Sequence, residues 1–282
     1  MKLLRGFFSA AMLLLSFAAG YSIKNENMKP LITEGPVVRL ETSMGDILVR
    51  LSNLTPDHRD NFLKLTREGK YDGVLFHRVI NDFMIQSGDV ESVNAPKGKQ
   101  LGSSDVGYRV DAEFRYPELY HRRGMLAAAR EGDATNPEKK SSGSQFYIVT
   151  GKTFNDSTLA QMEKRMNMEA AQAIFNRLQV ENRNSIMTLR RNRDQQGLEA
   201  LRLSLVEKVE KKMKENPVTI PQGIREAYRT VGGTPHLDGS YTVYGEVIEG
   251  MDVVDRIQKV ATDRYDRPVE DVKIIRASVV SE

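Results

Sequence analysis

At 282 residues the chain can hold one large domain or two smaller ones, and its 40% hydrophobic content is enough for a real core. A net charge of +3, spread along a chain with no nucleic-acid-binding motif, argues against DNA or RNA as a partner. The absence of cysteine excludes disulfides, thiol nucleophiles, thiolate zinc sites and a lipoprotein signal.

The first twenty residues carry Lys2 and Arg5, an apolar run from Gly6 to Ala19, and small residues at Ala18 and Gly20. This order is that of a secretory signal, and the run is short for a span of roughly 20 apolar residues. Residues 1–20 are therefore expected to be a signal peptide, with an uncleaved anchor as the alternative. If the leader is removed, no stable membrane insertion is expected. In a Gram-negative cell the exported chain would be periplasmic. Residues 21–36 are polar and without period, and are expected to be a linker.

From Val37 a strand period begins. Val38 and Leu40 alternate with Arg39 and Glu41, the chain turns at Ser43–Gly45, and Ile47, Val49 and Leu51 resume on one face, as in a hairpin. Thr55 and Pro56 then suit a helix start, Phe62, Leu63 and Leu65 its apolar stripe, and Gly69 its end. Short strands are expected at Val74–Val79, Met84–Gln86, Met125–Ala129, Gln145–Thr150, Tyr241–Val247 and Val272–Ser278, with a helix near Met251–Lys259. Many short strands and few helices indicate a mainly β, closed-barrel domain. Residues 153–231 break that style. Leu159, Met162, Met166, Ala170 and Ile174 recur at helical spacing after cap candidates Asp156 and Ser157. Leu198, Leu201, Leu205 and Val209 form a second stripe, Pro217 and Pro221 end it, and "QGIREAYRT" suits a short third helix. This reads as a helical insertion into the barrel, and its Met-rich surface suits adaptable contacts with a partner.

The four histidines, His58, His77, His121 and His236, have no metal-ligand spacing. Neither a nucleophile elbow nor a phosphate loop is present. No metal or cofactor is expected, and His77 reads as a packed, hydrogen-bonded strand residue. One feature is unusual: Arg78 and Gln86 interrupt the otherwise apolar "FHRVINDFMIQSGD", and charged residues are seldom buried unless paired. Strand alternation also places Met84 with Gln86, Met125 with Ala127 and Ala129, and Gln145 with Tyr147 and Val149 on shared faces. Apolar side chains, two amides and one arginine together suggest a groove.

Three segments, "FHRVINDFMIQSGD", "RRGMLAAAREGDATNPEKKSSGSQFYIVTG" and "TPHLDGSYTVYGEVIEGMDVVDRI", resemble the cyclophilins, a family of peptidyl-prolyl cis-trans isomerases. The likeness covers about 37–152 and 232–280, in a form like that of bacterial secreted members. It implies an eight-stranded antiparallel barrel capped by two helices over 37–152 and 232–282, with an inserted α-helical subdomain at 153–231. By position, the resemblance puts the catalytic arginine at Arg78 and the proline pocket at Phe83, Met84, Tyr147 and Leu237. It puts the peptide-holding groups at Gln86, Gln145, Ala129 and the Arg130 backbone. His236 stands where many members have tryptophan, which weakens the expectation of tight cyclosporin binding. Tyr241 stands where many eukaryotic members have histidine, and Tyr147 replaces a commoner phenylalanine.

That activity suits the absence of acid–base or metal constellations. Rotation about a peptide bond costs about 18–20 kcal/mol because conjugation is lost, yet no covalent bond is made or broken. X–Pro bonds populate both isomers and exchange slowly. Catalysis then requires an apolar pocket for the ring and a donor aimed at the prolyl nitrogen, where the lone pair localises. An arginine remains protonated and offers several donors in a fixed plane. In this reading Gln86 orients Arg78. The expected partners are proline-containing polypeptides, with further contacts through the 153–231 helices. The competing expectation is a proline-peptide binding module or chaperone that works mainly through those helices.

Overall fold

The computed structural model describes residues 29–282. The expected signal peptide, and residues 21–28 of the expected linker, lie outside it. The barrel begins with hairpin β1 (Val37–Thr42) and β2 (Gly45–Leu51), followed by α1 (Pro56–Arg67). Then come β3 (Arg78–Ile80), β4 (Met84–Ser87), β5 (Arg109–Val110), β6 (Met125–Ala128), β7 (Ser141–Ser142) and β8 (Phe146–Val149). The helices α2 (Asp156–Glu181), α3 (Arg183–Arg191), α4 (Gln195–Glu215) and α5 (Gln222–Thr230) follow. The chain ends with β9 (Val243–Glu249), α6 (Met251–Ile257) and β10 (Ile274–Ser281).

Eight strands form one antiparallel sheet in the order β10-β1-β2-β9-β6-β8-β4-β3, while β5 and β7 pair separately. The sheet curls until the segment before β3 meets the segment before β10. Gly73 donates to the Ile274 carbonyl, Ile274 to Val74 and Phe76 to Val272, each at 2.8 Å. The expected strand Val74–Val79 is thus regular only from Arg78, because its first half serves this seam. Inward alternation buries Val38, Leu40, Ile47, Val49 and Leu51 completely. α1 covers one side of the core with Phe62, Leu63 and Leu65, and α6 adds Val253, Val254 and Ile257. Phe62, Tyr71, Phe146 and Tyr244 pack ring to ring at centroid distances of 4.9–5.7 Å.

Some local expectations differ. Thr55 makes no side-chain cap bond to α1, whereas Pro56 does occupy its first turn. α2 is capped by Asn155, whose side chain accepts from Thr158 N–H at 2.8 Å, instead of by Asp156 or Ser157. The strand expected at Tyr241 starts at Val243, because the Ser240 and Tyr241 N–H groups turn back onto the Leu237 carbonyl. Residues 29–36 are docked to the barrel. Ile32 is buried and its N–H donates to Glu246 at 2.9 Å, so this half of the expected linker is part of the fold.

The insertion has two small cores. Leu159, Met162 and Met166 of α2 join Ile220, Ile224 and Tyr228 against Tyr120 and Tyr116 of the barrel. Further along, Phe175 and Leu178 meet Leu205 and Val209 of α4 in a separate cluster. The apolar stripe read from the sequence is therefore shared: its first turns anchor the insertion and its later turns zip a hairpin. α3 was not expected from the sequence. None of the described helices is long and apolar enough to cross a membrane.

Candidate active site

Sheet register builds the site. Arg78 pairs with Gln86, Gln86 with Tyr147, and Tyr147 with Ala127, giving one rung across β3, β4, β8 and β6. Residues on one rung point to one face, and Arg78 and Tyr147 stand two strands, about 10 Å, apart. The opposite face carries Ile85, Leu126, Ala128, Phe146 and Ile148 in the barrel core. The rung face carries Met84, Met125, Ala127, Tyr147 and Val149, with Phe83, Ala129, Leu237 and Tyr241 packed against them. The alternation read from the sequence thus separates core from groove.

The groove has a volume of about 350 Å³. Arg78, Phe83, Met84, Gln86, Ala129, Arg130, Tyr147, Leu237 and Tyr241 all line it. Gln145 lines an adjoining pocket together with Gln86 and Ala129. His236 is exposed and does not line the groove itself, but stacks on the groove residue Phe83 with centroids 5.7 Å apart.

The two amides are ordered by their partners. Gln145 Nε2 donates to the Gly102 and Ser104 carbonyls at 3.0 and 2.7 Å, so its Oε1 must face Gln86, which donates to it at 3.0 Å. Gln86 therefore keeps its own Oε1 as an acceptor beside Arg78. Its hydrogen bond runs to Gln145 and not to Arg78, contrary to the expectation that Gln86 orients the guanidinium. The neighbour of that guanidinium is Asp266, with Oδ2 3.6 Å from Arg78 Nε; both side chains are roughly half exposed. Asp266 belongs to a loop joined to β3 by a hydrogen bond from Val79 N–H to the Asp266 carbonyl, 2.8 Å.

Arg130 uses its side chain on the wall. Nε donates to the Ser240 carbonyl at 2.8 Å, Nη1 pairs with Asp133 at 2.7 Å, and the guanidinium lies 4.3 Å over the Tyr241 ring. Among the described residues no hydrogen bond is made to the Arg130 main chain, which remains available on the rim. Tyr147 is buried, and burial pushes its phenol well above the usual range, with Tyr241 and Asp238 adding to the effect. His77 is packed as expected, under Gly102, and the Leu75 backbone is a polar group within reach of its ring. Burial lowers its pKa to about 4, so the ring is neutral.

Sequence reading missed Asp266, Tyr265, Gln100, Leu101 and Gly102 on the groove. Gln100–Gly102 come from the loop after the motif, held by the Asp89 carboxylate, which accepts from Gly102 N–H, and by Gln145. Tyr265 and Asp266 come from far along the chain and are brought near where Val79 N–H meets the Asp266 carbonyl. Among the described residues no His, Cys, Asp and Glu group could hold a metal.

The description "cyclophilin type peptidyl-prolyl cis-trans isomerase/CLD" belongs to a family model that matches residues 37–189 and 228–279. The chain is a member of that family. The stretch of this cyclophilin left unmatched between those two parts, 190–227, lies within the helical insertion. A Staphylococcus epidermidis protein bearing a peptidyl-prolyl cis-trans isomerase name is 30% identical over 84% of this chain and 88% of its own length. A Streptococcus pyogenes protein bearing a bifunctional phosphatase/peptidyl-prolyl cis-trans isomerase name is 32% identical over 85% of this chain, which spans only 38% of that protein. A cyclophilin type isomerase from Cryptosporidium parvum shares the fold, with TM-score 0.51 and 21% identity over 88% of this chain and 99% of that one. A second structure of it, described as in the presence of the dipeptide Ala-Pro, gives TM-score 0.50 and 20% identity over 87% and 99%. The chain is thus a cyclophilin-type isomerase, with the eight-stranded fold and two barrel helices that the resemblance implied.

Proposed function

We propose that the Arg78 groove is where this isomerase rotates X–Pro bonds of exported polypeptides. The proline ring sits among Phe83, Met84, Tyr147 and Leu237, and the Gln86 Oε1 and Arg130 main chain hold the flanking peptide. As the bond twists, conjugation is lost and the prolyl nitrogen gains a lone pair, to which Arg78 donates. The observation that carries this reading is the single rung holding a half-exposed cation, an amide with a free acceptor and an aromatic floor. A fold neighbour described in the presence of Ala-Pro supports a prolyl ligand. The basic, apolar leader of residues 1–20 supports export, and periplasmic residence in a Gram-negative cell.

The test is a protease-coupled isomerisation assay on a proline tetrapeptide. Arg78→Ala should lower kcat/KM by about 10²-fold or more while the far-UV spectrum stays unchanged, as expected for loss of one transition-state donor. Folded Arg78→Ala protein with wild-type activity would remove Arg78 from the mechanism. A chaperone role through the insertion is a second reading, favoured by exposed Met168, Val180, Met187 and Leu203 on its helices. Suppression of client aggregation that survives Arg78→Ala would support it.

A further inference from the structure

Leu237 forms part of the groove, and the next residue, Asp238, turns its carboxylate inward, away from solvent. Oδ1 of Asp238 accepts from the His121 backbone N–H at 2.8 Å and pairs with His121 Nδ1 at 2.9 Å. Oδ2 accepts from the Tyr228 hydroxyl at 2.6 Å. Since a carboxylate only accepts, Nδ1 is the protonated nitrogen, and in that tautomer Nε2 is an acceptor. The Tyr147 hydroxyl donates to it at 2.9 Å. Tyr147, His121, Asp238 and Tyr228 therefore form one buried chain, each side chain less than 5% exposed. It runs from the floor of the proline pocket to α5, the last helix of the insertion.

The backbone beside this chain is equally closely fitted. The insertion leaves and re-enters the barrel at one place: Gly233 bridges both Arg122 and Lys152, and Thr234 N–H donates to the His121 carbonyl at 2.9 Å. A tilt of α5 would thus move Asp238 and the segment carrying His121, just before β6, together. The tether matters because the other groups packed around the buried Tyr147 ring, Met84, Met125, Ala127 and Val149 with the rings of His121 at 6.0 Å and Tyr241 at 6.1 Å, offer it only apolar and ring contacts. These allow sliding that a hydrogen bond does not.

We propose that Tyr228, Asp238 and His121 are positioning residues, through which the inserted helix α5 fixes the floor of the proline pocket relative to Arg78. The proposal rests on the reading of the Arg78 groove as the isomerase site. The chain is a specificity and rate device supplied by the insertion: it keeps the tyrosine hydroxyl occupied, so that the ring face and not a polar group meets proline.

Tyr228→Phe and Tyr147→Phe each remove one hydroxyl and keep the ring. Each is expected to lower kcat about five-fold with KM little changed, the signature of lost transition-state geometry. The double variant should be no worse than the more severe single one, because both cut the same chain. Tyr116→Phe, which removes a hydroxyl from the same barrel–insertion contact but outside the chain, should retain wild-type kcat. Folded single variants with wild-type kcat, or effects that multiply in the double variant, would overturn the proposal. A readout independent of turnover is the methyl NMR signals of Met84 and Leu237, which should shift in Tyr228→Phe. Unmoved signals overturn the coupling, whereas an inactive wild-type protein with moving signals overturns only the isomerase reading of the groove.

Discussion

Arg78 stood out in the sequence because a cation interrupts an apolar run, and the structure gives it half exposure on a groove instead of a buried pair. Its neighbour Asp266 could not be found that way, being 188 positions along the chain and brought beside β3 by the Val79–Asp266 main-chain bond. A half-exposed pair is worth about 0–1 kcal/mol, so Asp266→Asn should leave the melting temperature nearly unchanged. It should lower kcat/KM by about three-fold through a freer guanidinium, a small positional effect. Steady-state kinetics alongside a thermal melt would separate the two. His77 carries a pH prediction. Its folded pKa, lowered to about 4, lies below the ordinary value of 6.5, so between these the unfolded chain binds the extra proton. Stability is then full above about pH 6.5 and falls as pH drops toward 4, by at most about 3 kcal/mol. Urea melts between pH 4 and 8 should show that slope, and it should be absent in His77→Phe. A His77 ring that titrates near 6.5 by NMR would contradict the burial argument.

Elements were legible in proportion to how local their causes are. The β1–β2 hairpin follows from period-two alternation within fifteen residues, and the same logic correctly put Tyr147 and Val149 opposite Phe146 and Ile148. The groove residues on β4, β6 and β8 were accessible because faces are a local property. The Gln86–Gln145 hydrogen bond was not, since it depends on two distant carbonyls in the 102–104 loop claiming the Gln145 amide. Nor could the sequence show that α2 divides its apolar stripe between two clusters, because one stripe looks alike whichever partner covers it. Gly233 gives the sharpest element-level test. At φ +153 it lies where side chains are strained, and an added Cβ would collide with the His121 carbonyl and come within 2.6 Å of the Tyr228 ring. Gly233→Ala should cost at least about 2 kcal/mol, seen as a lowered urea midpoint at unchanged m-value. An unaffected midpoint would mean that the crossing of the insertion and the barrel is loose.

At the scale of the whole molecule, the insertion raises the question of how much of it the isomerase uses. Its neck is marked by a reciprocal pair, Asn167 Nδ2 donating to the Val218 carbonyl at 2.7 Å and Val218 N–H to Asn167 Oδ1 at 3.0 Å. On the barrel side of this neck, Glu163 accepts from Ile220 N–H and from Arg225, both at 2.9 Å, and Met162, Met166 and Tyr228 close the inner cluster. Beyond it, Phe175, Leu178, Leu205 and Val209 pack only with one another and their helix neighbours. The buried chain to the pocket starts from α5, on the inner side. The arm can therefore be cut where its ends already meet: a four-residue Gly/Ser linker spans about 11 Å, enough to join the chain across the neck. Replacing residues 170–216 with it should keep kcat/KM within about two-fold, since no hydrogen bond of the groove is touched. The same variant should lose any ability to suppress client aggregation, as the exposed Val180, Met187 and Leu203 go with the arm. A fall in kcat/KM with the inner cluster intact would show that the distal helices steady α5, and through it the floor of the pocket.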